Sequence, residues 1–273
     1  MARLAVMVLI GGGAASALHA DNFVVSYGPA TTQTPNTTAL CAGATTCWIG
    51  MQTFDSGSAP TTATPFPTLL STGTTPPTGV ISGSYSGGYV MYAADQYGGA
   101  GGTGYYPELF AAGNGYTLTL TPSGNIPGVN YFGLWLSALD DGNELQFYED
   151  VGATDTLLYT FTPQDLINLV GACTGSNPYC GNPTAAFLGD DGGEQFAFLN
   201  FFDTTGYFNT IVFTEGGGGG FESDNHTVGY QDPSNPSGTI FVGATPEPGT
   251  LLLLGSGLLG LAGIVRRRIG RRR

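Results

Sequence analysis

From residue 80 onward the chain alternates. In YTLTLTP (116–122) apolar and polar residues exchange places at every step, the period of a strand with one buried face. ELQFYED (144–150), TLLYTFT (156–162), EQFAFLNFF (194–202) and YFNTIVFTE (207–215) follow, bounded by Gly, Asp and Asn. VNYFGLWLSAL (129–139) is apolar on both faces, which predicts a central strand. GFESDNHTVGY (220–230) and TIFVGA (239–244) close the series. VISGSY (80–85) and YVMYA (89–93) flank Gly87-Gly88 and are expected to form a hairpin. Strands this short and frequent predict an all-β fold, a β-sandwich of jelly-roll-like form.

Two segments depart from the alternation. Thr162-Pro163-Gln164-Asp165 offers an N-cap, a proline at the first helical position and an early acid. LINLV then runs to Gly171, so one helix of about two turns is expected here. Residues 21–79 are rich in Thr, Pro and Ser, with prolines at 60, 65, 67, 76 and 77 that bar central strands. This part is expected to be loosely ordered around a small disulfide loop carrying Trp48. Stretches of edge strand are expected near FVVSY (23–27) and CWIGMQTF (47–54). The sandwich is placed at 80–244.

Charge narrows the chemistry. Nineteen of the 20 acidic residues lie between residues 21 and 245, where there is no Lys or Arg. The body therefore carries about −19, although the whole chain sums to −13. Such a surface repels nucleic acid and anionic lipid and attracts divalent cations. Arginine clamps and catalytic lysines are excluded because the residues are absent. His226 is the only histidine in the span, so a Ser–His–Asp or Cys–His enzyme would have to use it. It reads as a polar residue at a strand end with no evident partner. With 16 Phe and 14 Tyr, the chain is too aromatic to be disordered.

The four cysteines form two local pairs, Cys41 with Cys47 and Cys173 with Cys180. Neither pair has zinc-site spacing or a nearby histidine. Disulfides within each pair are expected, and the crossed pairings, 41–173 with 47–180 or 41–180 with 47–173, stay open.

Two motifs invite a ligand. Asp140-Asp141-Gly142-Asn143-Glu144 and Asp190-Asp191-Gly192-Gly193-Glu194 repeat D-D-G-x-E ahead of a strand. The motif is first a turn, since Asp and Gly both enter the left-handed region. It is also a candidate Ca²⁺ site, because clustered carboxylates suit a hard cation. Asp140, Glu144, Asp190 and Glu194 are the acids from which a glycosidase pair would come. Tyr97, Tyr105 and Tyr106 lie in or beside a glycine-rich loop, where exposed rings would stack on sugars.

The ends carry addresses. Met1-Ala2-Arg3, the apolar run 4–17 and the small-residue exits Ala15-Ser16-Ala17 and Leu18-His19-Ala20 form a signal peptide over residues 1–20. Cleavage after Ala17 and after Ala20 fit equally. At the other end, GTLLLLGSGLLGLAGIV (249–265) would span about 25 Å as a helix, enough for one transmembrane segment with some thinning. Arg266, Arg267, Arg268, Arg271, Arg272 and Arg273 follow as a stop that stays cytoplasmic, which puts the body outside. Both signals give one topology. Upstream, Pro246-Glu247-Pro248 cannot extend the helix and stands extended.

This ordered tail, residues 245–273, resembles the PEP-CTERM sorting signal of bacterial exosortase substrates. YFGLWLSALDDGNELQFY and GFESDNHTV are similar, more loosely, to the sandwich domains of exosortase-dependent surface proteins. The resemblance implies export, transient anchoring in the inner membrane, recognition by the membrane protease exosortase near Pro246–Pro248, and release or attachment at the envelope. It also implies association with exopolysaccharide and biofilm matrix, and no catalytic residues in the body. The expectation is a non-enzymatic surface protein with a structural or adhesive role. The rival expectations are a permanently tail-anchored surface protein and a secreted carbohydrate-active enzyme.

Overall fold

Residues 23–241, except 141, 151–154, 218, 235, 237 and 238, are described by a computed structural model. The expected signal peptide and sorting tail lie outside the described residues. Numbered along the chain, nine strands build the first sheet: β1 (Phe23–Tyr27), β2 (Thr46–Gln52), β4 (Thr68–Gly73), β6 (Val90–Ala93), β7 (Tyr105–Leu109), β9 (Tyr131–Ser137), β12 (Ala197–Asp203), β14 (Phe221–Asp232) and β15 (Thr239–Phe241). Six build the second: β3 (Thr64–Pro65), β5 (Ile81–Gly87), β8 (Gly115–Pro122), β10 (Asn143–Asp150), β11 (Asp155–Phe161) and β13 (Thr210–Glu215).

The first sheet runs β15-β1-β12-β9-β14-β2-β4, with β7 on the start of β14 and β6 on β7. The second runs β11-β10-β13-β8-β5-β3. Both are antiparallel, and among the described residues neither closes into a barrel. Their inner faces pack one aromatic core: Phe23, Phe132 and Phe201 from the first sheet meet Phe147, Tyr159 and Phe213 from the second. Among the described residues no helix is long and apolar enough to cross a membrane.

β9 is buried along its whole length, as its two apolar faces predict. Its inner face holds Phe132, Leu134 and Leu136. The outer face is covered too. Tyr131 joins Leu40, Cys47, Ile49 and Phe202, while Trp135 joins Phe196 and Phe198. The expected helix is present as α2 (Pro163–Val170), with Thr162 extended before it and Gly171 ending it at φ 91°. Both local disulfides form, Cys41–Cys47 and Cys173–Cys180, separated by 6 and 7 residues. Loops this short contribute about 2 kcal/mol each in the chain-entropy picture.

Three expectations are corrected. Residues 28–79 contribute β2, β3 and β4 to the sheets, and a short α1 (Thr37–Leu40), capped by Asn36, presses Leu40 onto the outer face of the first sheet. Their polar composition hid a few apolar anchors, Leu40, Trp48, Phe54 and Phe66, all buried. The two strands expected at an edge are internal, β1 lying between β15 and β12 and β2 between β14 and β4. Finally, Gly87-Gly88 does not close a hairpin. β5 pairs with β8 and β3, whereas β6 pairs with β7 in the other sheet. Gly87, at φ 127°, lies so close to Tyr116 and the Gly115 carbonyl that a Cβ would collide. The glycine lets the chain leave one sheet for the other.

Candidate functional site

The two D-D-G-x-E segments are turns. Asn143 donates to the Asp140 carbonyl at 3.3 Å, and Glu194 to the Asp191 carbonyl at 3.2 Å, with Asp191 left-handed at φ 53°. Their acids divide between the sheets. Glu144 lies on β10 opposite Thr214, between the inward residues Asn143 and Leu145, so it faces outward from the second sheet. Asp190 is exposed, and Asp141 lies outside the described residues. The six-residue calcium set is therefore not assembled. Asp140 and Glu194 do come into electrostatic reach of each other, with Asp191 beside Glu194.

What the turns approach was not singled out from the sequence. On β14, Phe221 enters the core and Ser223 bonds to core side chains, so Glu222 and Asp224 point to the outer face. Glu222 stands directly opposite Glu108 of β7 on one side and Ser137 of β9 on the other. Opposed residues share a face, with Cα atoms about 4.5–5.5 Å apart. The row Ser137–Glu222–Glu108 is buried at 0, 3 and 7% exposure. The Oε2 atom of Glu222 and the Oγ atom of Ser137 are both buried without a hydrogen-bond partner.

A roof accounts for this burial. Asp224 Oδ2 accepts the Ala100 N–H at 2.7 Å, and Asp95 Oδ1 accepts the Tyr106 hydroxyl at 3.0 Å. The loop between β6 and β7 thereby lies over this part of the sheet. Glycines bring the remaining acids in: the carboxylates of Asp140 and Glu222 lie against Gly219 and Gly220, where a Cβ would strike them.

No Lys or Arg stands among the described residues, and every resolved carboxylate shift here is upward. Burial, then the charges of Glu108, Asp140 and Glu194, push Glu222 up to about 10. Burial, Asp191 and Asp140 raise Glu194 to about 8, and burial and Asp95 raise Glu108 to about 7. Burial raises Asp224 to about 8 against the opposing N–H groups of Ala100 and Asn225. Among the described residues no three His, Cys, Asp or Glu side chains gather as a group able to hold a metal ion by themselves.

The sugar-stacking trio separates as well. Tyr97 and Tyr105 are exposed at 42 and 40%. Tyr106 is not presented to a ligand: it is fully buried in β7, bonded to Asp95, with its ring against Gly98. Elsewhere on the outer face of the first sheet, a cavity of about 340 Å³ is lined by Thr32, Thr34, Asn36, Phe198 and Asn200, among others, with no charged side chain.

His226 is not a strand-end residue. It is fully buried in mid-β14, sharing hydrogen bonds with Tyr85 Oη at 3.1 Å and Ser223 Oγ at 3.0 Å. Phe54, Phe132 and Phe213 surround its ring. Burial lowers its pKa to about 3. The folded chain therefore keeps it neutral while the unfolded chain protonates it near 6.5. Its stabilising contribution is complete above pH 6.5 and is lost as pH falls towards 3, by about 1.4 kcal/mol per pH unit at most. Urea unfolding at pH 6.5 and 4.5 is expected to show wild type losing about 2 kcal/mol more than His226→Gln. Equal losses in both proteins would refute this. The raised carboxylates shift stability in the opposite direction in both chains and cancel in the comparison.

The remaining predicted residues are those of the tail. Residues 244–268 match the family model described as the PEP-CTERM protein-sorting motif. The chain carries a PEP-CTERM sorting signal. The match contains Pro246, Glu247 and Pro248 and reaches the first three terminal arginines. No curated protein and no solved structure matches the chain. The PEP-CTERM motif supports an exported surface protein sorted by exosortase, a membrane protein.

Proposed function

We propose that the chain is cut by exosortase near Pro246–Pro248 and that its β-sandwich then serves a structural or adhesive role in an exopolysaccharide matrix, without enzymatic activity. The observation that carries this reading is the ordered tail, whose family match includes the tripeptide, the apolar span and the start of the arginine cluster. The body supports it. An acidic surface with no Lys or Arg resists adsorption to anionic lipid and nucleic acid. Two short disulfides suit an oxidising location. Tyr97 and Tyr105 offer exposed rings for stacking on sugars, and the neutral cavity near Asn200 offers hydroxyl and amide groups that suit an uncharged, hydroxyl-rich ligand.

Sedimentation of the purified full-length chain with matrix polysaccharide tests the adhesive part. Wild type is expected to co-sediment, and Tyr97→Ala combined with Tyr105→Ala to weaken binding about tenfold, the effect of losing roughly 1.4 kcal/mol. Wild type that stays in the supernatant would remove the adhesive role. Wild-type affinity in the double variant would remove the tyrosines from it.

A further inference from the structure

The row Ser137–Glu222–Glu108 holds two carboxylates and a hydroxyl side by side on one face, roofed by the loop that carries Asp95 and Ala100. Each member is more than nine-tenths buried, and two of their oxygens, Glu222 Oε2 and Ser137 Oγ, lack hydrogen-bond partners. A buried polar atom without a partner is rare in a folded protein and marks a bound ion or water as one of its explanations. Directly opposed like charges also destabilise a sheet unless something neutralises them. In most proteins an arginine or lysine would do so, but residues 4–265 contain neither, and His226 is engaged in the core. Among the described residues, neutralisation therefore has to come from protons or from a cation out of solution.

We propose that Glu108, Glu222 and Ser137 form a divalent-cation site that takes Ca²⁺, with Asp140 and Glu194 supplying further negative charge from the two turns. Oxygen donors of this kind select a hard cation, and Ca²⁺ tolerates the irregular geometry that Mg²⁺ resists. Two carboxylates stand at the row itself, so the shell is completed by Ser137 Oγ and water. Such a site binds weakly, at about 0.1–1 mM, the range of extracellular calcium modules. The expected range rests on the exported location proposed above, whereas the binding itself does not.

The test is calorimetric titration of the full-length chain in mild detergent with CaCl2, paired with thermal unfolding in chelator and in about 10 mM Ca²⁺, a concentration above the expected dissociation constant. Wild type is expected to give a saturable heat and a Tm several degrees higher in Ca²⁺ than in chelator, with Mg²⁺ much less effective. Glu222→Gln is expected to weaken Ca²⁺ binding at least tenfold and to abolish the Tm rise. In chelator it should melt at or above the wild-type temperature, because the amide fills the same space without charge. Glu108→Gln is the second variant should the first fail to fold, with the same expected loss. Asp150→Asn, at the exposed end of β10, should keep the full response. A wild-type titration without saturable heat overturns the proposal, as does either Gln variant retaining wild-type affinity. Export and tail removal could still hold in those cases, because neither is measured by the titration.

Discussion

Phe147→Ala is expected to cost about 3–5 kcal/mol of unfolding free energy, the range for truncating a buried phenylalanine. Phe147 lies on β10, fully buried, where the two sheets meet. Its ring lies 5.0 Å from Phe201, 5.2 Å from Phe208 and 5.2 Å from Phe23, with Phe132 at 6.1 Å and Tyr159 at 6.2 Å. These partners come from both sheets, so the cavity left by alanine cannot close by moving one strand. Phe147→Leu keeps most of the volume and is expected to cost less. The urea midpoint of the full-length chain measures both. A loss below about 1 kcal/mol for alanine would show that the centre of the sandwich is loosely packed.

The second large effect lies in the tail. Replacing Pro246, Glu247 and Pro248 together by alanine is expected to abolish tail removal in cells that contain exosortase. Each proline fixes its own φ and pushes the residue before it towards extended backbone. Alanine is the best helix former, so the apolar span would continue upstream as helix and withdraw the extended segment. Fractionation should move the chain almost completely from the released or surface pool to the membrane pellet, a change of at least about tenfold. A triple variant released like wild type, at the same mass, would contradict recognition at these residues.

Much of the sandwich could be read in advance because alternation reports which residues share a face. YTLTLTP became β8, and the doubly apolar VNYFGLWLSAL became the fully buried β9. Alternation does not report which sheet a strand joins. The Gly87-Gly88 pair has the chemistry of a tight turn, yet long-range pairing assigns β5 and β6 to different sheets. It is also silent on whether the second face of a sheet meets solvent or a loop. For that reason nothing in the sequence marks Glu108 and Glu222 as buried, and their burial goes with a glycine-rich loop whose sequence says nothing of where it lies. His226 was missed for a related reason: a histidine within a polar run, S-D-N-H-T, gives no sign that β14 carries it between the sheets. The disulfides were legible because six- and seven-residue separations favour local closure.

The sorting tail could be read from sequence alone, since its parts act through order and composition at the chain's end. The most direct test of the central claim is the intact mass of the wild-type protein recovered from cells with exosortase and from otherwise identical cells without it. A chain cut near Pro246–Pro248, lacking the apolar span and arginine cluster, is expected from the first, and a chain that keeps them from the second. The same tail-bearing mass from both would contradict the claim.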